Sequence, residues 1–176
     1  MSSRRRRNAI QLLQVNGVQV KGVLQIREVV FNHFSFHYKT ISVERSEMEG
    51  LNFNRLSVSE SSGLIQPFSS NEVKQTVWDC DSFKSPGRDG ITFGFIKQFW
   101  VEVKDDFFRF LNEFHRNRKL TKGINSTFIA LVPKVDNPQR LNDFQPISLV
   151  GYMYKVLTKV LANRLRVVIG SVVADS

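Results

Sequence analysis

A run of regularly spaced apolar side chains in the middle of the chain constrains the fold more than any other feature. Between residues 96 and 114, large apolar side chains recur every three or four positions, at Ile96, Phe99, Trp100, Val103, Phe107, Phe110, Leu111 and Phe114. Positions three and four apart share one face of a helix, so this spacing predicts one long amphipathic helix. We expect its aromatic face to belong to the core and Gly123 to stop it. The neighbouring carboxylates Asp105 and Asp106 would point to different sides of this helix, which excludes them as a paired catalytic site.

Local signals predict the elements of the N-terminal third. Asn16-Gly17 lies between alternating apolar residues, which favours a β-hairpin over 8–22. Apolar residues then recur at helical spacing and predict an amphipathic helix over 22–39. The stretch 41–66 contains SVSESSG and has the composition of a Ser-rich linker. We therefore divide the chain into a connector segment, 1–66, and a main domain, 67–176.

The main domain is predicted to combine helices with a buried strand. Ser69 and Glu72 have the spacing of a capping box, which predicts a short helix that runs to about Cys80. The apolar sequence 126–134 predicts a buried strand, and the apolar spacing over 148–168 predicts another long helix. The polar face of that helix would carry Lys155, Lys159, Arg164 and Arg166. The order of elements indicates an α+β, helix-rich fold.

Charge narrows the class of partner. The 176 residues carry a formal net charge of +9, with a pI of about 10.0. This excess favours nucleic acid first and an acidic membrane second, with a merely soluble basic domain as the alternative. No apolar run approaches the length of a spanning helix, and the single cysteine, Cys80, favours a reducing, intracellular location. The cluster of Arg4, Arg5, Arg6 and Arg7 is typical of a nuclear-import or phosphate-contacting patch, and equally of a solvated charge run.

The loop 80–90, with the sequence CDSFKSPGRDG, combines cations with residues that impose turns. Gly87 and Gly90 permit sharp turns and expose backbone amides. Lys84 and Arg88 add positive charge beside them. A loop of this kind can cup a phosphate, and an ordinary connector is the alternative.

The pattern contains no recognisable catalytic or metal-binding constellation. His33 and His37 lie four apart on a predicted helix, but no cysteine or carboxylate completes a ligand set. The acidic pair Asp79 and Asp81 lies in a polar turn, and Asp89 is expected to order its own turn. We therefore predict no catalytic residue and no metal ligand in the chain. The residues alone indicate a basic, intracellular α+β domain that binds nucleic acid.

Three blocks of the main domain are specific enough to compare with known families. They read FKSPGRDGITFGFIKQFW, STFIALVPKVDNPQRLNDFQPISLVGYMYKVLTKVLANRL and GSVVADS. In content, order and separation they resemble reverse transcriptases (RNA-directed DNA polymerases) of plant LINE-type, non-LTR retrotransposons. The resemblance covers about residues 66–176, and residues 4–40 resemble the connector before the polymerase in such proteins. It implies the fingers and the start of the palm of a right-hand polymerase.

The resemblance also implies roles for individual cations. In the family, two strands form a finger hairpin that closes over the incoming nucleotide. Lys134 matches the family lysine that binds the triphosphate, whereas Gln145 stands where the family has an arginine and offers no guanidinium to phosphate. Arg140, in the intervening turn, is the candidate to compensate. Lys84 and Arg88 are implied to contact nucleic acid, although Arg88 replaces a family proline.

The resemblance separates this chain from a complete enzyme. The catalytic aspartates of the family hold two metal ions at the primer end and belong to blocks that are not reached by Ser176. We therefore expect the chain to be inactive alone and to bind no metal ion, with Mg²⁺ as the cofactor of the full-length parent. The parent's partners would be an RNA template, a DNA primer, deoxynucleotides and the remaining palm and thumb. A non-enzymatic nucleic-acid-binding remnant and a decayed copy without function are the alternatives.

Overall fold

The computed structural model describes residues 10–39 and 54–173. Within these ranges the chain forms two compact units. We call residues 10–39 with 129–147 the hairpin unit, and residues 54–128 with 148–173 the helical unit. The predicted basic cluster Arg4, Arg5, Arg6 and Arg7 lies outside the described residues.

The hairpin unit begins with the predicted β-hairpin. Strands β1 (Leu12–Val15) and β2 (Val18–Lys21) pair antiparallel, with Val15 opposite Val18. Asn16 and Gly17 join them with φ angles of 48° and 81°. Two successive positive φ angles define the tight hairpin turn that Asn-Gly favours. Helix α1 (Val23–His37) follows, so the predicted hairpin and helix are both confirmed.

A second two-stranded sheet pairs β3 (Thr127–Pro133) with β4 (Phe144–Val150). A short 3₁₀ turn at Leu141–Asp143 leads into β4. The prediction of a buried strand was wrong in its burial, because Phe128 and Val132 of β3 are 57% and 42% exposed. The predicted helix over 148–168 also began too early, since its first residues belong to β4. The hairpin unit is held by a small core of Leu13, Ile26 and Phe144, with Ile10, Val20, Val29, Val30, Leu131 and Leu141 partly buried around it.

The helical unit is built around the last helix, α6 (Tyr152–Val172). The helices before it are α2 (Val58–Ile65), α3 (Ser70–Trp78), α4 (Phe93–Gln98) and α5 (Trp100–Asn117). Helices α2, α3 and α5 all pack against α6. The core of the unit consists of Phe68, Val73, Val77, Phe93, Ile96, Phe107, Leu111, Val156, Leu157 and Val160. Since burial of apolar surface is the main favourable term in folding, these contacts fix α6 among its neighbours.

The predicted single long helix is two helices. The chain leaves helical geometry at Phe99, where φ is −106° and ψ is 29°, and α5 starts at the next residue. Apolar spacing could not reveal this break, because Ile96 of α4 and Phe107 of α5 still reach the same core. The expected stop at Gly123 was wrong as well. Helix α5 ends at Asn117, where Arg118 adopts a left-handed φ of 57° and its amide donates to the Phe114 carbonyl.

The predicted Ser-rich linker contains a helix. Helix α2 occupies the sequence VSESSGLI, so the linker prediction was wrong for these residues. Ser57 and Glu60 form a capping box in which the Glu60 amide donates to the Ser57 hydroxyl and the Ser57 amide donates to the Glu60 carboxylate. Ser171 of α6 also donates to Glu60, at 2.7 Å. Capping and tertiary contact together outweigh the weak helix preference of serine and glycine.

None of the helices in the two described ranges has the length and apolar character needed to cross a bilayer.

Candidate nucleic-acid interface

The loop between α3 and α4, residues 79–92, includes the predicted loop 80–90 with its cations Lys84 and Arg88. It lies against the start of α6. Gly87 makes the closest approach, because a Cβ atom there would overlap the backbone carbonyl of Val150. Only glycine lacks the atom that would collide, so the prediction that Gly87 serves backbone geometry is confirmed. Gly90 adopts a positive φ of 71°, which glycine permits without strain.

Asp89 connects the loop to α6 through both carboxylate oxygens. Its Oδ1 accepts a hydrogen bond from the Ile91 amide at 3.1 Å, which orders the turn as predicted. Its Oδ2 accepts one from the Tyr152 amide at 2.8 Å, across 63 positions of sequence. Gly151, the residue at the N-cap of α6, has no side chain to cap the helix. Asp89 therefore supplies the cap from a distance, and its negative charge lies at the positive end of the helix dipole.

Lys97, on α4, stabilises the first part of the loop through hydrogen bonds. Its ammonium donates to the carbonyls of Trp78 and Cys80, at 3.0 and 2.6 Å, and to the Ser82 hydroxyl at 3.2 Å. Trp78 is the last residue of α3, so Lys97 places a cation at the negative end of that helix. All three donors of the ammonium are used in this way.

Two lysines of α6 hold the loop from the other side. Lys155 donates to the Ser85 carbonyl and Lys159 to the Asp79 carbonyl, each at 2.9 Å. Burial lowers the pKa of Lys155, and the nearby Lys84 ammonium lowers it further, against the opposing effect of the Asp89 carboxylate. The predicted polar face of this helix is thus partly an anchoring face, a role that the sequence did not reveal.

Lys84 and Arg88 differ from these anchoring lysines. Both residues are exposed, and neither side chain makes a hydrogen bond or ion pair within residues 10–39 and 54–173. Arg88 lies with Asp89 at the rim of a cavity of about 430 Å³ beside Gly151 and Tyr152. The fold therefore presents two cations on a loop whose backbone is fastened by Asp89 and three lysines. Such an arrangement can contact phosphate groups without first ordering the loop.

The hairpin unit carries the other predicted pair, Lys134 and Arg140, in the segment between β3 and β4. The Lys134 amide donates to the Asp143 carbonyl at 2.8 Å, and its Nζ donates to the Asn142 carbonyl at 3.4 Å. The Arg140 guanidinium lies 3.5 Å from the Asp143 carboxylate and is 70% exposed. Hydrogen bonds from the Arg140 and Gln139 amides are the main reason that the pKa of Asp143 is lowered. Arg140 thus already has an anionic partner, whereas among the described residues the Lys134 ammonium makes one long bond to a carbonyl.

Metal-binding side chains do not converge in the part of the chain that the structure describes. No group of three or more His, Cys, Asp or Glu residues comes together there. His33 and His37 stack their rings with centroids 6.4 Å apart. The Cys80 thiol donates to the Thr76 carbonyl, and burial raises its pKa, which keeps it in the unreactive protonated form.

Arg164, at the middle of α6, is the residue that sequence reasoning most clearly underestimated. Its guanidinium donates hydrogen bonds to both carboxylate oxygens of Glu72, at 2.6 and 2.7 Å. It also donates to the carbonyl of Leu64, in the last turn of α2, and to those of Gln66 and Pro67, between α2 and α3. The family-like ANRL sequence was the available signal, although it does not indicate which residues the arginine contacts. Arg164 therefore connects α6 to α2, to the start of α3 and to the residues between them.

The two units make this a basic protein of mixed α/β structure. Its candidate binding groups are exposed cations on turns whose backbone is held by hydrogen bonds. No model of a known protein family matches the chain. Over 110 residues, the chain is 30% identical to the Transposon TX1 uncharacterized 149 kDa protein of Xenopus laevis. The match covers 62% of this chain and 8% of that protein, so the chain spans only a small part of the relative's length. The chain is therefore related in sequence to a transposon protein.

Proposed function

We propose that this chain is part of the reverse transcriptase of a LINE-type, non-LTR retrotransposon and contains its fingers and the start of its palm. The observation that carries the proposal is the 110-residue similarity to a transposon protein. The blocks that resemble reverse transcriptases add the polymerase class to it. The parent activity would be RNA-templated DNA synthesis from deoxynucleotides with Mg²⁺.

In this proposal the cations of the two units bind different phosphates. Lys134 would bind the triphosphate of the incoming nucleotide, because a cation there offsets the charge that develops during phosphoryl transfer. Arg140 would contribute less, since Asp143 already neutralises part of its charge. Lys84 and Arg88 would contact the backbone of the template. The aspartates that hold Mg²⁺ in the family are not among these 176 residues, so the residues present would bind and position without catalysing.

The nucleic-acid contacts can be tested by titrating the 176-residue chain with single-stranded RNA at several salt concentrations. For each phosphate contact that is lost, the slope of log K against log salt should become shallower by roughly 0.7. The variant Lys84→Gln/Arg88→Gln should therefore bind more weakly and with a shallower slope. The control Arg116→Gln/Lys119→Gln removes the same charges from exposed positions at the end of α5 and should preserve the slope. Equal losses in the two variants would contradict a role for the loop, and no binding at low salt would contradict nucleic-acid binding altogether.

A non-enzymatic nucleic-acid-binding remnant, or a decayed copy, is the second candidate. The observation that favours it is Gln145, which is exposed on β4 where the family has an arginine. Primer extension on an RNA template addresses catalysis directly. We expect no template-dependent incorporation by these residues above a heat-denatured control, and incorporation above that control would refute the expectation.

A further inference from the structure

A cavity of about 570 Å³ lies between the loop 79–84 and α6, and three lysines line it. They are Lys84 of the loop and Lys155 and Lys159 of α6, which are one helical turn apart and so share a face. Asp79 and Asp81 also line it, which leaves an excess of one positive charge. One of these carboxylates is engaged, because Asp81 accepts a hydrogen bond from the Phe83 amide at 2.9 Å.

The ammonium groups influence one another electrostatically, and they influence the Cys80 thiol in the cavity wall. The Lys84 charge opposes protonation of Lys155. Lys159 and Lys84 both oppose the effect of burial on the Cys80 thiol, which places their charges around the same space. Like charges that line one cavity repel, and an anion between them would be attracted to each of them. The cavity is thus electrostatically suited to an anion.

The lysines also retain the donors that an anion requires. An ammonium has three N–H groups, and Lys155 and Lys159 each use one on a backbone carbonyl. Two donors remain on each of them, and the Lys84 ammonium makes no hydrogen bond to any residue that the structure describes. Thr158, the remaining hydroxyl in the wall, donates to backbone carbonyls of its own helix and adds no donor.

We propose that this cavity binds a phosphate group between Lys84, Lys155 and Lys159. The inference deepens the proposed function, on which it rests in one respect: the phosphate would come from a nucleic-acid backbone that follows the loop. A free phosphate or pyrophosphate has the same chemistry and is the other source. Lys155 and Lys159 would have two roles. Each donates one hydrogen bond to a backbone carbonyl of the loop, and its two remaining N–H groups would donate to the anion.

The test uses the 176-residue chain and three probes: inorganic phosphate, pyrophosphate and a short single-stranded RNA. Calorimetry measures affinity for each probe, and NMR follows the lysine side-chain signals during titration. Lys84→Gln is the primary variant, because the Lys84 side chain makes no hydrogen bond within the described residues and its replacement should not disturb folding. Lys119→Gln removes the same charge from an exposed position after α5 and serves as the control. A thermal melt of each variant establishes that it is folded.

We expect Lys84→Gln to weaken binding of inorganic phosphate about tenfold, the usual effect of one lost hydrogen bond to a charged group, and Lys119→Gln to leave it unchanged. In the wild-type chain, the signals of Lys155 and Lys159 should shift on saturation. Absence of saturable phosphate and pyrophosphate binding, or equal losses in both variants, would overturn the proposal. If RNA displaces phosphate, the backbone is the source. If phosphate binds at these lysines and RNA neither binds nor competes, the cavity is a site for free phosphate, and the proposed nucleic-acid function fails separately.

Discussion

Replacing Arg164 with methionine should strongly destabilise the helical unit. The side chain is only 8% exposed, and the Glu72 side chain that it contacts is 24% exposed. The substitution leaves that carboxylate without its cation and removes the donor for the carbonyls of Leu64, Gln66 and Pro67. Removing one partner of a buried ion pair costs about 3–5 kcal/mol. Because Glu72 keeps partial access to water, we expect the low end, about 3 kcal/mol, out of a total stability of roughly 5–15 kcal/mol for a typical domain.

Urea unfolding followed by tryptophan fluorescence measures this effect. Trp78 and Trp100 both belong to the helical unit, with their rings 5.4 Å apart, so their emission reports on this unit. Arg166→Met removes an exposed arginine from the same helix and should change the free energy of unfolding by less than about 0.5 kcal/mol. A loss below about 1 kcal/mol in Arg164→Met would show that the pair behaves as a surface ion pair and would refute the reasoning.

Three further changes test the geometry around the loop and the ion pair. Asp89→Ala removes the cap on the Tyr152 amide and should cost about 1 kcal/mol in the same urea assay; an unchanged midpoint would contradict the capping role. Gly87→Ala drives a methyl group into the Val150 carbonyl and should cost roughly 1–3 kcal/mol and weaken RNA binding, and wild-type values for both would refute the close approach. The hydrogen bond from Arg164 lowers the pKa of Glu72 in the folded state. The stability that this carboxylate contributes is therefore present above its ordinary pKa of 4.5 and is lost as pH falls through the folded pKa. Glu72→Gln should flatten this acid limb of the stability profile, and an identical pH profile for the variant would contradict the linkage.

The elements that the sequence predicted correctly depend on neighbouring residues. The Asn16-Gly17 turn and the Ser69 and Glu72 capping box both act within four positions, so their chemistry can be read directly from the chain. Helix α2 carries the same capping box at Ser57 and Glu60, yet its Ser and Gly content favoured a linker. The signal was available in the sequence, and composition outweighed it in the prediction.

The features that the sequence did not predict depend on contacts between distant residues. Asp89 and Tyr152 are 63 positions apart, and Arg164 and Glu72 are 92 positions apart. Local patterns identified Asp89 as a turn residue, which describes the bond of its Oδ1 but not the contact of its Oδ2 with α6. They placed Arg164 on a polar face and did not indicate its contact with Glu72. The exposure of Lys84 and Arg88 was easier to anticipate, because charged residues in a turn-rich loop usually lie at the surface, and their role in binding stays a prediction. What could not be predicted is which lysines hold the backbone of that loop.

The net charge of +9 does not indicate which cations have donors free to meet a polyanion. Lys97 and Arg164 are engaged by backbone carbonyls or Glu72, and Lys155 and Lys159 are engaged in part. Lys84 and Arg88, by contrast, are exposed and make no such contact within the described residues. If that loop binds phosphate, the orientation of Lys84 matters as much as its charge, because the backbone beneath it is fixed before any ligand arrives. A binding site of this kind would tolerate loss of distant charges but not displacement of the loop.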